Sequence, residues 1–317
     1  MSECDGISAF LIKVASGIYT EYGLNLISEI TVAGGYSNDG LWTNDIYAYP
    51  TNLRPSASAL FNWYNVQNIT IEGFIMDPAT RISTAIDMKN SLTIGTSYLR
   101  NNRITNFRKA VYGITGLAGG TLNIYNNIMW DFMVSAIQPP VNIIMLVYNN
   151  TFYNLSSGAF IGEGAAGTAI QNNIFHSVYY CIAGNITGIS DYNDFYNYTA
   201  ISDSGTPGAN DITDDPEFMN ASNSNFELTS TSPCRGAGNA AVSPAADIKG
   251  RTRVADDIGA LEYQSFTSGF TGTLPTGGEP VYSAEWKYNP TEDRHEFYIN
   301  DYLIGFIDNT GTNDVTN

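Results

Sequence analysis

Asn126-Asn127-Ile128-Met129 decides the fold, because it recurs. Asn101-Asn102-Arg103-Ile104 precedes it. Asn149-Asn150-Thr151-Phe152 and Asn172-Asn173-Ile174-Phe175 follow, with Tyr192-Asn193-Asp194-Phe195 as a degenerate last copy. The second Asn of each copy (Asn102, Asn127, Asn150, Asn173, Asn193) steps by 25, 23, 23 and 20 residues. An apolar alternation such as Leu122-Asn123-Ile124-Tyr125 leads into most copies, and an apolar residue such as Phe107, Phe132 or Leu155 follows. A short repeat with one turn and two or three strands builds a solenoid. Helical repeats are longer and carry a 3.6-residue periodicity, and leucine-rich repeats carry a Leu pattern; neither is present. The expectation is an all-β, right-handed parallel β-helix. About nine or ten coils at the strand spacing of ~4.8 Å would make a rod roughly 40–50 Å long. Asn suits the bend because it tolerates the left-handed region and its amide can bond to the coils above and below.

Working outward, Phe10 to Thr20 reads as a strand and turn, and Ile27 to Gly35 as another. Trp42 to Pro50 reads as a loop leading into the repeats. The divisions expected are residues 1–55 for the first coils, 56–212 for the Asn-ladder coils and 213–263 for a closing segment. A Gly/Thr/Pro-rich linker then spans 264–281 and a β-hairpin tail 282–317. In the tail, two strand-like runs, Val281 to Tyr288 and His295 to Asp308, flank the turn Asn289-Pro290-Thr291-Glu292-Asp293. An isolated hairpin is marginal in water. Trp286, Phe297, Tyr298, Ile299, Tyr302, Leu303 and Ile304 are therefore candidates for packing on a partner surface.

Composition limits the function classes. The 317 residues carry 14 Lys and Arg against 31 Asp and Glu, a net charge of −17, so a basic nucleic-acid footprint is excluded. An anionic substrate would be repelled unless a metal bridged it. No run of 18 apolar residues occurs, so no spanning helix is expected. Met1 to Gly17 show no signal-peptide pattern. Three cysteines (Cys4, Cys181, Cys234) form no zinc spacing and allow at most one disulfide.

Lys13-Val14-Ala15-Ser16-Gly17-Ile18-Tyr19-Thr20-Glu21 and Val32-Ala33-Gly34-Gly35-Tyr36-Ser37 resemble the first coils of secreted right-handed β-helix proteins of the pectate-lyase-like superfamily. Four later elements follow in order: Asp215-Pro216-Glu217-Phe218, Asn225-Phe226-Glu227-Leu228, Ser232-Pro233-Cys234-Arg235-Gly236-Ala237-Gly238, and Asp247 with Gly250-Arg251. Asp257-Ile258-Gly259-Ala260-Leu261-Glu262-Tyr263 completes the series. It is similar to the closing segment of "choice-of-anchor" bacterial surface proteins. The tail resembles hairpins of laminin-G or laminarinase-type sandwiches. The resemblance covers roughly residues 10 to 263 and implies an extracellular or cell-surface setting. It implies little about activity, since fold does not give function. The family usually has an apolar residue and an acid where Cys234-Arg235 stand. Cys181 and Cys234 either pair, pinning the last coils, or stand as two separate buried thiols.

The chemistry-bearing residues are sparse. Arg100, Arg103, Arg108 and Lys109 are the one basic cluster on the repeats, the candidate base and carboxylate clamp if the protein is a polysaccharide lyase. The competing reading is solvated flank residues. Hydrolysis needs paired carboxylates facing one sugar. The pairs Asp214-Asp215 and Asp256-Asp257 lie in the closing segment, where the resemblance makes them structural. His176 and His295 read as coil and strand residues. Asp191, Asp194, Asp211, Asp214 and Asp215 are a candidate Ca²⁺ group around the last coil; turn Asp residues bonding to backbone are the alternative. Tyr36, Trp42, Tyr47, Tyr49, Trp63, Tyr64 and Trp130 are candidates for sugar stacking or for the core.

Three function classes follow. The leading expectation is an extracellular, non-catalytic structural protein: a surface β-helix or filament subunit, a homo-oligomer or head-to-tail polymer joined partly through its tail. The second is a lyase or hydrolase acting on an acidic glycan. The third is a carbohydrate-binding adhesin module.

Overall fold

The computed structural model describes residues 10–57, 59–88, 93–113, 119–138, 142–161, 167–183, 189–201 and 208–263. It also describes the strand backbones Ala284–Asn289, Arg294–Ile299, Tyr302–Asp308 and Asn313–Val315. The chain forms two compact units, residues 1–219 with 226–263, and residues 220–225 with 264–317.

The first unit is a parallel β-solenoid of about seven turns. One sheet stacks eight strands, from Phe10–Ala15 through Thr96–Arg100, Thr121–Tyr125 and Ile144–Tyr148 to Ile189–Asp191. The second sheet carries the strands that follow each corner, such as Arg103–Thr105, Ile128–Trp130 and Thr151–Ile161. Pairing between coils is parallel and in register: Arg100 stands beside Tyr125, Tyr125 beside Tyr148, Tyr148 beside Gln171 and Gln171 beside Asp191. Alternate residues face inward. Ile71, Leu99, Ile124, Val147 and Ile170 are fully buried and make one core row. On the second sheet Phe152, Phe175 and Phe195 stack face to face at 5.0 and 5.1 Å. Such rings bury large apolar area and reinforce the coil spacing.

The Asn pairs divide their work. The first Asn of each pair (Asn101, Asn126, Asn149, Asn172) adopts positive φ of 52 to 57° and turns the corner. The second points inward and is fully buried. Asn127 donates through Nδ2 to the carbonyls of Leu99 and Tyr125 and to Asn150 Oδ1, while its own Oδ1 accepts from the backbone N–H of Asn102. The pattern repeats at Asn150, Asn173 and Asn193. The ladder begins where Phe74 donates its backbone N–H to Asn102 Oδ1 and ends on Asp211. Each amide thus satisfies corner groups that no sheet bond reaches.

Nine or ten coils were too many, because two stretches leave the helical path. The loop between Ser37 and Pro50 arches over the corner. Gly35 and Gly73 make room for it: a Cβ on Gly35 would lie 2.6 Å from Ile46 Cγ2, and one on Gly73 3.2 Å from the same atom. Residues 213–263 do not add coils either. They run back along the side of the solenoid as a strap, with a two-stranded sheet of Phe218–Asn220 and Asn225–Leu228 at its start.

The tail is more than the two-stranded hairpin expected. Ala284–Asn289, Arg294–Ile299, Tyr302–Asp308 and Asn313–Val315 form a four-stranded antiparallel sheet. The run from His295 to Asp308 divides into two strands, with Ile299 paired to Tyr302 across the new turn. Trp286, Phe297, Tyr298, Ile299, Tyr302, Leu303 and Ile304 lie on these strands, and their side chains are outside the described residues. The linker 264–281 is outside them as well.

Candidate functional site

The strap packs on the second sheet, while among the described residues the outer row of the first sheet stays partly exposed. Phe218 and Phe226 pack on the outward aromatic row Trp130, Tyr153 and His176 at 5.3 to 6.3 Å. Ile258, Leu228 and Cys234 pack around Ile174. The corner Asn residues then hold the rest: Asn126 Nδ2 donates to the Ala246 carbonyl, Asn149 Nδ2 to that of Asp257, and Asn172 Nδ2 to that of Asn239. Within the strap, buried Arg253 meets Glu262, the Gly259 carbonyl and Asn126 Oδ1, and Glu262 accepts from the amides of Val254, Ala255 and Asp257. Arg251 binds Glu227 through both terminal nitrogens and also meets Asp247. The Lys249 ammonium sits 2.8 Å from Glu227. Burial opposes the charge of Glu227, but Lys249 and Arg251 overcome it and hold the carboxyl below its ordinary range.

Where strap, loop and corner meet, they enclose a cleft of about 480 Å³. The corner supplies Glu72, Gly73, Asn101, Tyr125 and Asn126, the loop supplies Asn44, Asp45 and Ile46, and the strap supplies Pro244 and Ala246 to Gly250. Asn44 is fixed by donating to the carbonyls of Gly34 and Gly35, and Asp45 Oδ1 accepts from the amides of Tyr47 and Ala48. The lining is mixed and somewhat more polar than apolar: three amides, three carboxylates, one phenol and one ammonium stand beside Ile46, Pro244, Ala246 and Ile248.

One wall continues outward as a ladder on the first sheet: Glu72, Arg100, Tyr125, Tyr148, Gln171 and Asp191 stand in register on successive coils. Arg100 Nε meets Glu72 Oε2, and its Nη1 donates to the Tyr125 hydroxyl at 2.7 Å. Tyr125 and Tyr148 stack at 4.9 Å and 10°. Burial, then the neighbouring phenols of Tyr125 and Tyr98, hold Tyr148 well above its ordinary pKa. The facing surfaces of these two rings cover each other, so Tyr125 and Tyr148 present hydroxyls and ring edges.

The four basic candidates occupy three strands of two sheets. Arg100 is held against the cleft-lining Glu72 and Tyr125. Arg103 turns to the second sheet, with its guanidinium 5.8 Å from the Tyr47 ring and 5.5 Å from the Trp130 ring. Arg108 is exposed, and the Lys109 ammonium lies 3.5 Å over the Tyr112 ring. Neighbours in sequence thus face different surroundings, because a corner and a pleat separate them.

The proposed Ca²⁺ ligands do not converge. Asp191 accepts from the backbone and side-chain N–H of Asn210, Asp211 from the amides of Asn193 and Gly208, and Asp215 from the amide of Glu217. Asp194 is fully buried with Cys234 Sγ at 3.3 Å, and Asp214 stands near enough to raise its pKa. Among the described residues, no group of three or more His, Cys, Asp or Glu could hold a metal ion. Backbone amides meet the turn carboxylates instead. Cys181 and Cys234 are both buried free thiols rather than a bridge. His176 lies in the outward aromatic row between Tyr153 and Tyr196, and burial lowers its pKa. Of the Asp256-Asp257 pair, Asp257 accepts from the amides of Gly236 and Tyr263. Of the aromatic candidates, Trp63 and Trp130 are buried, while Trp42 and Tyr64 remain exposed.

The residues that line the cleft, Tyr125 and Glu72 above all, were missed from sequence. A signal existed. Arg100, Tyr125, Tyr148 and Gln171 each directly follow an apolar residue of the inward row (Leu99, Ile124, Val147, Ile170), so alternation along the strand places them on the outer face, and Asp191 holds the same position in the last copy. The strap wall carried no comparable signal.

No protein-family model matches the chain, and no curated protein matches it. The solenoid rests on the observed pairing alone.

Proposed function

We propose that this chain is an extracellular surface module, a rigid β-helix that binds a neutral saccharide without turning it over. The carrying observation is the cleft of about 480 Å³, whose walls come from three separated segments and whose lining is somewhat more polar than apolar. That volume falls in the range of small-ligand sites. Amide and carboxylate side chains match paired sugar hydroxyls, and Tyr125 supplies a phenol. Asp45, Glu72 and Asp247 in the lining, together with the chain's net charge of −17, disfavour an acidic glycan. The extracellular setting rests on the resemblance of the coils and closing segment to secreted β-helix proteins. Titration calorimetry with neutral oligosaccharides (cello-, manno-, xylo- and chito-series) tests the reading. Saturable binding lost in Tyr125→Ala, with no product released, is expected; absence of binding across the set, or release of shorter sugars, overturns it.

A second reading is favoured by the tail. Its outer strands, Ala284–Asn289 and Asn313–Val315, are each paired on one side within the four-stranded sheet. Such edges are templates for strand addition, as a filament-forming subunit requires. Electron microscopy of the full chain and of a truncation after Tyr263 tests it. Polymers formed equally by both would remove the tail from assembly.

A further inference from the structure

The two ends of the solenoid differ. At the far end, Ile212 pairs in parallel with Asp194, the Phe195 amide donates to the Ile212 carbonyl, and Asp211 closes the Asn ladder. Gly208 lies against the edge of Ile189–Asp191: a Cβ there would stand 2.6 Å from Asp191 Oδ1 and 2.8 Å from the Ser190 carbonyl. Residues 208–212 therefore lie against Ser190–Phe195 at that end, while Ile189 stays 60 % exposed. At the near end, Phe10–Ala15 pairs only with Ile30–Tyr36 among the described residues, and it is the outermost strand of the eight. Phe10, Leu11 and Ile12 are 54, 52 and 47 % exposed, and Ile18 and Ile27 are exposed on the same coil. Ile12 continues the core row of Val32 and Ile71, so the core itself opens at this end.

From these two ends we infer that the chain forms a closed two-fold pair, in which Phe10–Ala15 of one copy adds to the same strand of a second. Three arguments select a second copy. An edge strand can pair antiparallel with itself across a two-fold axis, and that contact buries both open core ends at once. A head-to-tail chain of copies would pair this strand with Ile189–Asp191, whose edge is crowded by Gly208 at Ser190 and Asp191. Charge gives the third argument. The molecule carries −17, yet between Phe10 and Ile27 the charged residues are Lys13 and Glu21, which cancel. Two like-charged molecules approach with least repulsion where this neutral, apolar patch meets its own copy.

Sedimentation velocity of the full chain over a wide concentration range tests the pair, with Leu11→Lys and Ile12→Lys as variants. Leu11 faces outward, so its substitution leaves the solenoid intact even where Ile12→Lys weakens folding; far-UV circular dichroism checks this. The expected result is a twofold mass for the native chain and a single-chain mass for folded Leu11→Lys. A native monomer at every concentration, with the edge covered by the residues preceding Phe10, overturns the inference. So does a mass that climbs past two copies, or a dimer that survives Leu11→Lys.

Discussion

Asp211 Oδ1 accepts the backbone N–H of Asn193 at 2.6 Å, where in the preceding coils an Asn amide oxygen accepts at about 3 Å. The carboxylate ends the ladder because it needs no further acceptor above it: its second oxygen takes the Gly208 amide. Asp211→Ala should orphan both amides, at about 1–3 kcal/mol each. The expected outcome is a lower denaturant midpoint, with hydrogen-exchange protection lost first around Asn193.

Mid-ladder, the loss should be larger and global. Asn127→Ala removes an acceptor for Asn102 and a donor to Leu99, Tyr125 and Asn150. A destabilisation of roughly 3 kcal/mol is expected in urea unfolding. A change below ~0.5 kcal/mol would show that the ladder is ornamental.

Asp194 makes stability pH-dependent. Burial pushes its carboxyl up to about 8, against the lowering by the Cys234 hydrogen bond, and Asp214 and Asp215 add to the rise. Its folded pKa thus lies above the unfolded value of 3.8. Its contribution is complete below that unfolded value and is lost as pH rises toward 8. The native chain should lose up to about 1.4 kcal/mol per pH unit across that window relative to Asp194→Asn. Parallel unfolding curves at pH 5 and pH 7 check the sign; equal slopes for both proteins would contradict it.

Arg253 and Glu262 hold the strap from inside. Both side chains are about 1 % exposed. Glu262→Ala leaves three amides without their acceptor and the buried Arg253 guanidinium, still held by carbonyls and Asn126, without this ion-pair partner, for which ~3–5 kcal/mol is expected. Limited proteolysis should then cut between residues 236 and 263 while the coils persist.

Arg100 separates binding from folding. Its bridge to Glu72 is partly exposed, so Arg100→Ala should change stability by less than ~1 kcal/mol. The same change frees Glu72 and the Tyr125 hydroxyl, and saccharide affinity should fall at least tenfold in calorimetry. Unchanged affinity would place the ligand elsewhere.

The sequence by itself determined the coil. Asn-Asn pairs at near-constant spacing, each preceded by alternating apolar residues, require a bend and a ladder per repeat, and both are present at Asn102 through Asn193. The outer row was also legible, since each of Arg100, Tyr125, Tyr148 and Gln171 directly follows an inward apolar residue and a strand's alternation turns its neighbour outward. Tertiary structure alone decided the path of residues 213–263. Asn126, Asn149 and Asn172 accommodate the corner by local backbone preference, but what their amides bind lies 67 to 120 residues further along the chain. No local pattern encodes such a contact. The cleft follows the same logic: its walls are local elements, but its volume exists only because strap, loop and corner meet.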